Sequence, residues 1–295
     1  MKSLVALTKN HGHGQHHQTI KFRLVMMIRL VALYGVGDAY LVCALHRTFE
    51  EWHREKATVV LKADKAPIAH MFGVPFEIDD AAVAKGESDT ALQANYSNAV
   101  GYGATVFVHP HFVRTPTRLD QLTIKPRVSQ ADMYRALMGL PPWALLTRPL
   151  NIKPDRERGV MLIPSARSWP NLPDQFWTDL QATMRAEGFE PEVPDPAWSL
   201  GQLLGACFGA RWLVGAQCGV MSAVIESGWT PPYRKTLAIT QLSAGCAYLF
   251  GLTEAMPYGH CSTFAGNNHA DVDHVVVPRK GWSGAIREIQ LCAVR

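Results

Sequence analysis

Asp38 is the residue best placed to do chemistry. It closes the segment Val31-Ala-Leu-Tyr-Gly-Val-Gly-Asp38 and opens the apolar run Ala39-Tyr-Leu-Val-Cys-Ala-Leu45. The pattern predicts a buried strand, a glycine turn and a helix. The carboxylate then lies in the helix's first turn, at the carboxyl end of a strand, where open α/β sheets hold their ligands. A carboxylate there can bind a ligand hydroxyl or take its proton. It can equally be a helix cap, and the turn alone leaves the two readings level. Gly35 and Gly37 are expected to allow positive φ and a close backbone approach to a ligand.

Two other groups of residues have metal-ligating types. His11, His13, His16 and His17 form a His/Gly tract near the amino terminus. Such tracts take up metals without fixed geometry, and the expectation is a mobile arm over residues 1–20. Later, His260, His269, Asp271, Asp273 and His274 crowd together in a polar stretch. Their spacing matches no zinc pattern, so a loop is expected there and no metal site is predicted.

The elements that must position Asp38 follow from alternation. Thr58–Ala63, Val74–Asp79 and Thr105–His109 read as strands, and Pro75 places the middle one at a sheet edge. A short helix is expected over Lys65–Phe72, and another from a capping signal at Ser129 through Met138. The proline-bearing stretch Thr147–Arg158 reads as a linker, with the domain boundary near Asp155. The pattern then restarts. Strands are expected at Gly159–Pro164, Arg211–Gly215 and Lys235–Thr240, and helices at Leu172–Glu187, Ser199–Gly209 and Val220–Ser227. In the first of these helices Phe176, Leu180, Ala182 and Met184 are expected to face inward, with Gly188 as the cap. Strands alternating with helices in both halves predict two parallel-sheet domains, residues 1–155 and 156–295.

Composition narrows the class. The chain has 295 residues, of which 47% are hydrophobic and 18% charged, enough to bury a sizeable core. The formal net charge of +4 is far from the clustered basicity of a nucleic-acid binder. The apolar run Leu24–Leu45 is long enough to span a membrane, but Arg29, Asp38 and two glycines interrupt it. The six cysteines show no CxxC pair and are expected as buried free thiols in a reducing cytoplasm, with peripheral membrane contact left open.

Three segments in order resemble the GT-B glycosyltransferases, and within them the lipopolysaccharide heptosyltransferases (glycosyltransferase family 9). They are Gly35-Val-Gly-Asp38 after a strand, Leu162-Ile-Pro-Ser165 through Trp169 with Leu172-Pro-Asp-Gln-Phe-Trp177, and Leu213-Val-Gly-Ala-Gln-Cys-Gly219 with its helix. Ser199-Leu-Gly-Gln-Leu-Leu204 resembles the helix before the last of these. The chain departs from the family pattern at the donor side. Arg167 stands where a lysine is usual, Gln217-Cys218-Gly219 replaces Asp-Thr-Gly, and Ser222 takes a histidine's place. A heptose donor is therefore not carried over.

The resemblance implies two Rossmann-like domains facing a central cleft. It implies an inverting, metal-independent transfer from a nucleotide-diphosphate sugar to an acceptor hydroxyl, with no cofactor beyond that co-substrate. Asp38 would be the general base. Ser165, Arg167, Ser168, Gln217, Cys218, Gly219 and Ser222 would hold the donor, the amides of the 218–221 turn receiving its diphosphate. Gly35, Gly37, His109 and His111 would line the acceptor side. Glu226 would reach a ribose or be a surface charge, and Trp177 is expected to pack. Alternatives are a nucleotide-sugar epimerase or hydrolase on the same scaffold, and an inert sugar-binding or interaction module, which Gln217 and Ser222 favour. A nicotinamide-dependent dehydrogenase fits less well, because Tyr40 occupies the position of the third glycine.

Overall fold

The computed structural model describes residues 27–88, 105–108, 130–150, 158–165, 172–216, 218–226, 234–240, 272–278 and 281–292. The His-rich arm, the boundary at Asp155, and residues His109, His111, Arg167, Ser168, Gln217, His260, His269 and Asp271 lie outside them.

Two parallel sheets make up the frame. The first has β1 (Ile28–Ala32), β2 (Ala57–Leu61), β3 (Phe76–Ile78) and β4 (Thr105–Val108) in the order β3-β2-β1-β4. The second has β5 (Arg158–Ile163), β6 (Pro191–Glu192), β7 (Ala210–Ala216), β8 (Arg234–Thr240) and β9 (Val272–Val277) in the order β6-β5-β7-β8-β9. Every pairing is parallel. Each order reverses once, between β1 and β4 and between β5 and β7. A doubly wound sheet opens its ligand crevice beyond the strand ends at such a reversal.

The helices are α1 (Val36–His53), α2 (Ala66–Phe72), α3 (Asp80–Ser88), α4 (Gln130–Leu137), α5 (Asp174–Ala186), α6 (Leu200–Gly209), α7 (Gly219–Glu226) and α8 (Ser283–Cys292). They cover both faces of each sheet, so alternate strand residues enter different cores. From β1, Ile28, Leu30 and Ala32 face α1, while Val31 joins Leu33, Val60, Val83 and Phe107 under α3. From β5, Met161 and Ile163 join the α6 and α7 side, while Val160 and Leu162 pack under α5 and α8.

One core runs between the domains. It joins α1 and α2 to α6 and α7, and α1 packs directly along α7. This explains the unbroken apolar character of α1. Residues 39–45 are all buried, because the helix is enclosed by its own sheet and by the other domain. Among the described residues no helix is long and apolar enough to cross a membrane. The segment after α4 returns across α1 and α2: the Thr147 amide donates to Ala44 O at 2.7 Å, the Thr48 hydroxyl to Leu145 O at 2.7 Å and the Leu150 amide to Met71 O at 2.7 Å.

Several expectations are corrected. Ala182 is exposed; Trp177, one residue after Phe176, takes the buried place on α5 with Leu180 and Met184. Asp273 and His274 lie on β9 rather than in a loop, paired with Thr236 and Leu237 of β8. Glu226 is 3% exposed in the last turn of α7 and is no surface charge. Gly188 does take the left-handed conformation after α5 (φ 85°), and its amide closes the last turn onto Arg185 O at 3.0 Å.

Candidate active site

The turn between β1 and α1 brings Asp38 to the reversal point of the first sheet. The conformational expectation for its glycines is corrected: neither Gly35 nor Gly37 has positive φ, and Tyr34 takes the left-handed step instead (φ 61°). That strained residue is held from α3. Its amide donates to Glu87 Oε1 at 3.0 Å and its hydroxyl to Glu87 O at 3.2 Å, while Lys62 Nζ pairs with Glu87 Oε2 at 2.7 Å.

The glycines serve close approach. A Cβ on Gly35 would stand 2.9 Å from Asp38 Oδ2, and one on Gly37 would stand 3.0 Å from Ser222 Cβ and 3.2 Å from Gly219 Cα. A Cβ on Gly219 would stand 2.7 Å from the Gly37 nitrogen. The first turns of α1 and α7 therefore touch backbone to backbone.

Asp38 does two things at once. Its Oδ2 accepts the Gly35 amide at 2.8 Å, which caps α1. Its Oδ1 accepts the hydroxyl of Tyr134, a fully buried residue of α4. Burial pushes the Asp38 carboxyl above the ordinary aspartate value. The Tyr134 hydroxyl, the Gly35 amide, its own amide and the charge of Lys65 oppose that rise. Lys65 ends the short 3₁₀ turn Ala63–Lys65 that follows β2; it is 7% exposed and its ammonium pairs with Asp64.

The corresponding turn of the second sheet runs from β7 into α7. Cys218 stands just before the helix, and its sulfur accepts the Val220 and Met221 amides. Burial pushes its thiol pKa up, against those two bonds. The Ser222 amide and hydroxyl both bond to Cys218 O, at 2.9 and 3.2 Å. Ser222 is buried beneath the first turn of α1. Ser165 is exposed just past the end of β5, on the other side of the reversal between β5 and β7.

The fold thus brings together Gly35, Gly37, Asp38, Cys218, Gly219 and Ser222, and sets Ser165 at the adjoining strand end. His109 and His111 follow β4 and Arg167 and Ser168 follow Ser165 in the chain, outside the described residues, as is Gln217. Sequence reasoning missed Tyr134 and Lys65. No local pattern marks Tyr134, which lies 96 positions from Asp38, and a lysine at the start of a helix reads as solvated. Among the described residues no three His, Cys, Asp or Glu side chains gather closely enough to hold a metal ion.

Two doubly wound parallel sheets, joined through helices and opening their strand ends toward a common point, define the GT-B glycosyltransferase fold. Solved structures agree in fold. E. coli heptosyltransferase WaaC with ADP superposes with a TM-score of 0.55 at 12% identity, over 91% of this chain and 98% of that one. The glycosyl transferase family 9 protein of Veillonella parvula gives 0.52 at 14% identity, over 92% and 96%. The bacterial iron-containing dodecameric glycosyltransferase TibC from enterotoxigenic E. coli gives 0.52 at 9% identity, over 93% and 80%. No protein-family model matches the chain, and no curated protein matches it by sequence.

Proposed function

We propose that the protein is a glycosyltransferase that moves a sugar from a nucleotide-diphosphate sugar to an acceptor hydroxyl, with inversion and without a metal. One observation carries the reading. Asp38, a half-buried carboxylate with raised pKa, sits at the reversal point of one sheet and against the helix N-terminus at the reversal point of the other. In this scheme Asp38 takes the proton of the acceptor hydroxyl. The acceptor oxygen attacks the anomeric carbon from the face opposite the diphosphate. The anomeric C–O bond breaks, and its electron pair leaves with the nucleoside diphosphate. A single displacement of this kind inverts the anomeric centre. The departing charge is met by the N-terminal end of α7 and by side chains at the end of β5, with Ser165 and, from the sequence, Arg167 and Ser168 assigned to it. WaaC, which it resembles in fold, is solved with ADP and with ADP-2-deoxy-2-fluoro heptose, and this supports that class of donor.

A second reading has a specific observation behind it. The Cys218 sulfur already takes two amides of the turn expected to hold the diphosphate, which favours an inert sugar-binding or interaction module. A thermal-shift screen against ADP-, GDP- and UDP-sugars separates the two, because a ligand that binds only the folded state raises its melting temperature. We expect one nucleotide class to raise Tm, with release of that nucleoside diphosphate when an acceptor is supplied. No shift with any of the three classes overturns the transferase reading.

A further inference from the structure

We propose that Tyr134 is a positioning residue for Asp38: its phenolic O–H, brought from α4, fixes one carboxylate oxygen so that the group stays aimed and ionised for proton abstraction. The inference rests on the glycosyl-transfer reading of the same site. Tyr134 and Gly35 donate to different oxygens of Asp38, the first to Oδ1 and the second to Oδ2. The carboxylate cannot rotate about its Cβ–Cγ bond without breaking both bonds. Tyr134 is 0% exposed. A ring buried only for packing is served equally by phenylalanine, whereas a hydroxyl bonded to an acid 96 positions away is a long-range tie between elements.

The donor itself is held in place. Next to Tyr134 on α4, Arg135 reaches Ala144 O at 2.8 Å and Asp132 Oδ1 at 2.7 Å, and His53 of α1 bonds to Met138 O at 2.9 Å. The first two bonds brace α4 and the segment after it, and the third ties the end of α4 to α1, the helix that carries Asp38. Titratable groups that act on the carboxylate among the described residues include the Tyr34 phenol of the same turn and Lys65 from the turn after β2, and Cys218 immediately precedes Gly219, which stands against Gly37 beside the acid. Lys65 carries the formal charge among them. Tyr134 can be stripped of its function without changing its shape.

The test reads the acid directly. Protein carrying ¹³C-carboxyl aspartate is titrated by NMR, with Asp38→Asn identifying the Asp38 resonance. Loss of a hydrogen bond to the charged form raises a carboxyl's pKa, so Tyr134→Phe is expected to move the Asp38 midpoint upward. Site-specific 3-fluorotyrosine at position 134, a stronger donor of nearly the same shape, is expected to move it downward and keeps the test open should the Phe variant not fold. An unchanged midpoint in folded Tyr134→Phe, or with the fluorinated residue, overturns the proposal. The titration needs no substrate, so it decides Tyr134 even if no transfer activity is found. Where activity is found, the acid limb of the kcat/KM profile is expected to move with the midpoint. kcat should fall about ten- to a hundredfold with the donor KM nearly unchanged, the signature of lost alignment rather than lost binding.

Discussion

The turn after β1 and the turn after β7 are built on one plan and end in opposite chemistry. In each, a buried strand turns into a helix whose start is capped by a side chain: Asp38 reaches back to the Gly35 amide just before α1, and Cys218, just before α7, takes the Val220 and Met221 amides. In each, burial is the largest influence on that side chain and raises its pKa. The consequence depends on the starting point. A carboxyl raised from an acidic value moves toward neutral pH and gains strength as a base. A thiol raised from a value already above neutral moves away from it and stays protonated. One packing device thus raises a carboxyl toward neutral pH in one turn and keeps a thiol protonated in the other. The contact of Gly37 with Gly219 joins the two.

The contrast breaks first at Asp38. If the carboxylate is the base, Asp38→Asn keeps an acceptor for the Gly35 amide but cannot take a proton. Transfer should fall about 10²- to 10⁴-fold, the usual contribution of a general base, while the thermal shift given by the nucleotide-sugar persists. Measurement of kcat beside donor binding checks this. A variant that turns over at the wild-type rate removes Asp38 from the chemistry and leaves it a helix cap.

The joint between the turns comes next. A methyl group on Gly219 meets the Gly37 nitrogen at 2.7 Å, and backbone on both sides leaves nothing flexible to yield. Gly219→Ala should destabilise the protein by about 1–3 kcal/mol, the range for overpacking, and should weaken nucleotide-sugar binding by parting α1 from α7. Gly201 in α6 has only Ser199 Oγ at 4.0 Å from its notional Cβ. Gly201→Ala should therefore be neutral or stabilising, by up to about 1 kcal/mol. Denaturation of the two variants side by side tests whether close approach, rather than loss of glycine itself, is what matters.

How much of this was legible is uneven, and the reasons are physical. Strands in the order strand–turn–helix, both faces buried, announce themselves as short apolar runs, and β2, β5 and β7 follow them closely, while β1 begins at Ile28, ahead of the expected Val31. Strand β9 did not, because Asp273 and His274 interrupt it. It is an edge strand of its sheet, where polar residues are tolerated. Helix α8 shows Ala285, Ile286, Ile289 and Cys292 on one face, but Gly284 in its first turn blurs the start. Local sequence placed Asp38 and the glycines together between β1 and α1 because a turn is a local object. It misassigned the glycines' purpose, since what crowds Gly37 is a helix some 180 positions on. Tyr134 and Lys65 were invisible for the same reason: a hydrogen bond across α4 and α1, or a buried ammonium, belongs to the packing and leaves no periodic trace.

The raised pKa of Asp38 also predicts a stability signature. At a pH between the ordinary aspartate value and the raised native one, the folded chain keeps a proton that the unfolded chain has released. Stability due to this group is therefore highest in acid and is lost as pH rises through that window. Asp38→Asn has no such loss. Its Tm relative to wild type should climb as pH rises across the window and then level off. A relative Tm that stays flat or falls with rising pH means that the opposing hydrogen bonds outweigh burial.

The smallest effect is expected at Cys218, and it sharpens the comparison from the other side. The thiol is half-buried, its pKa is raised, and its sulfur holds the Val220 and Met221 amides. Serine is a stronger N-cap and a smaller one. Cys218→Ser should therefore leave the unfolding free energy within about 0.5–1 kcal/mol of wild type, and kcat unchanged, because this side chain holds a helix and carries no charge. Wild-type Cys218 should resist iodoacetamide at pH 8 in the native state and react once the protein is unfolded, as peptide mapping can show. Rapid native labelling would mean a thiolate at the head of α7. The two turns would then differ in degree and not in kind, each carrying an ionised side chain at the start of its helix.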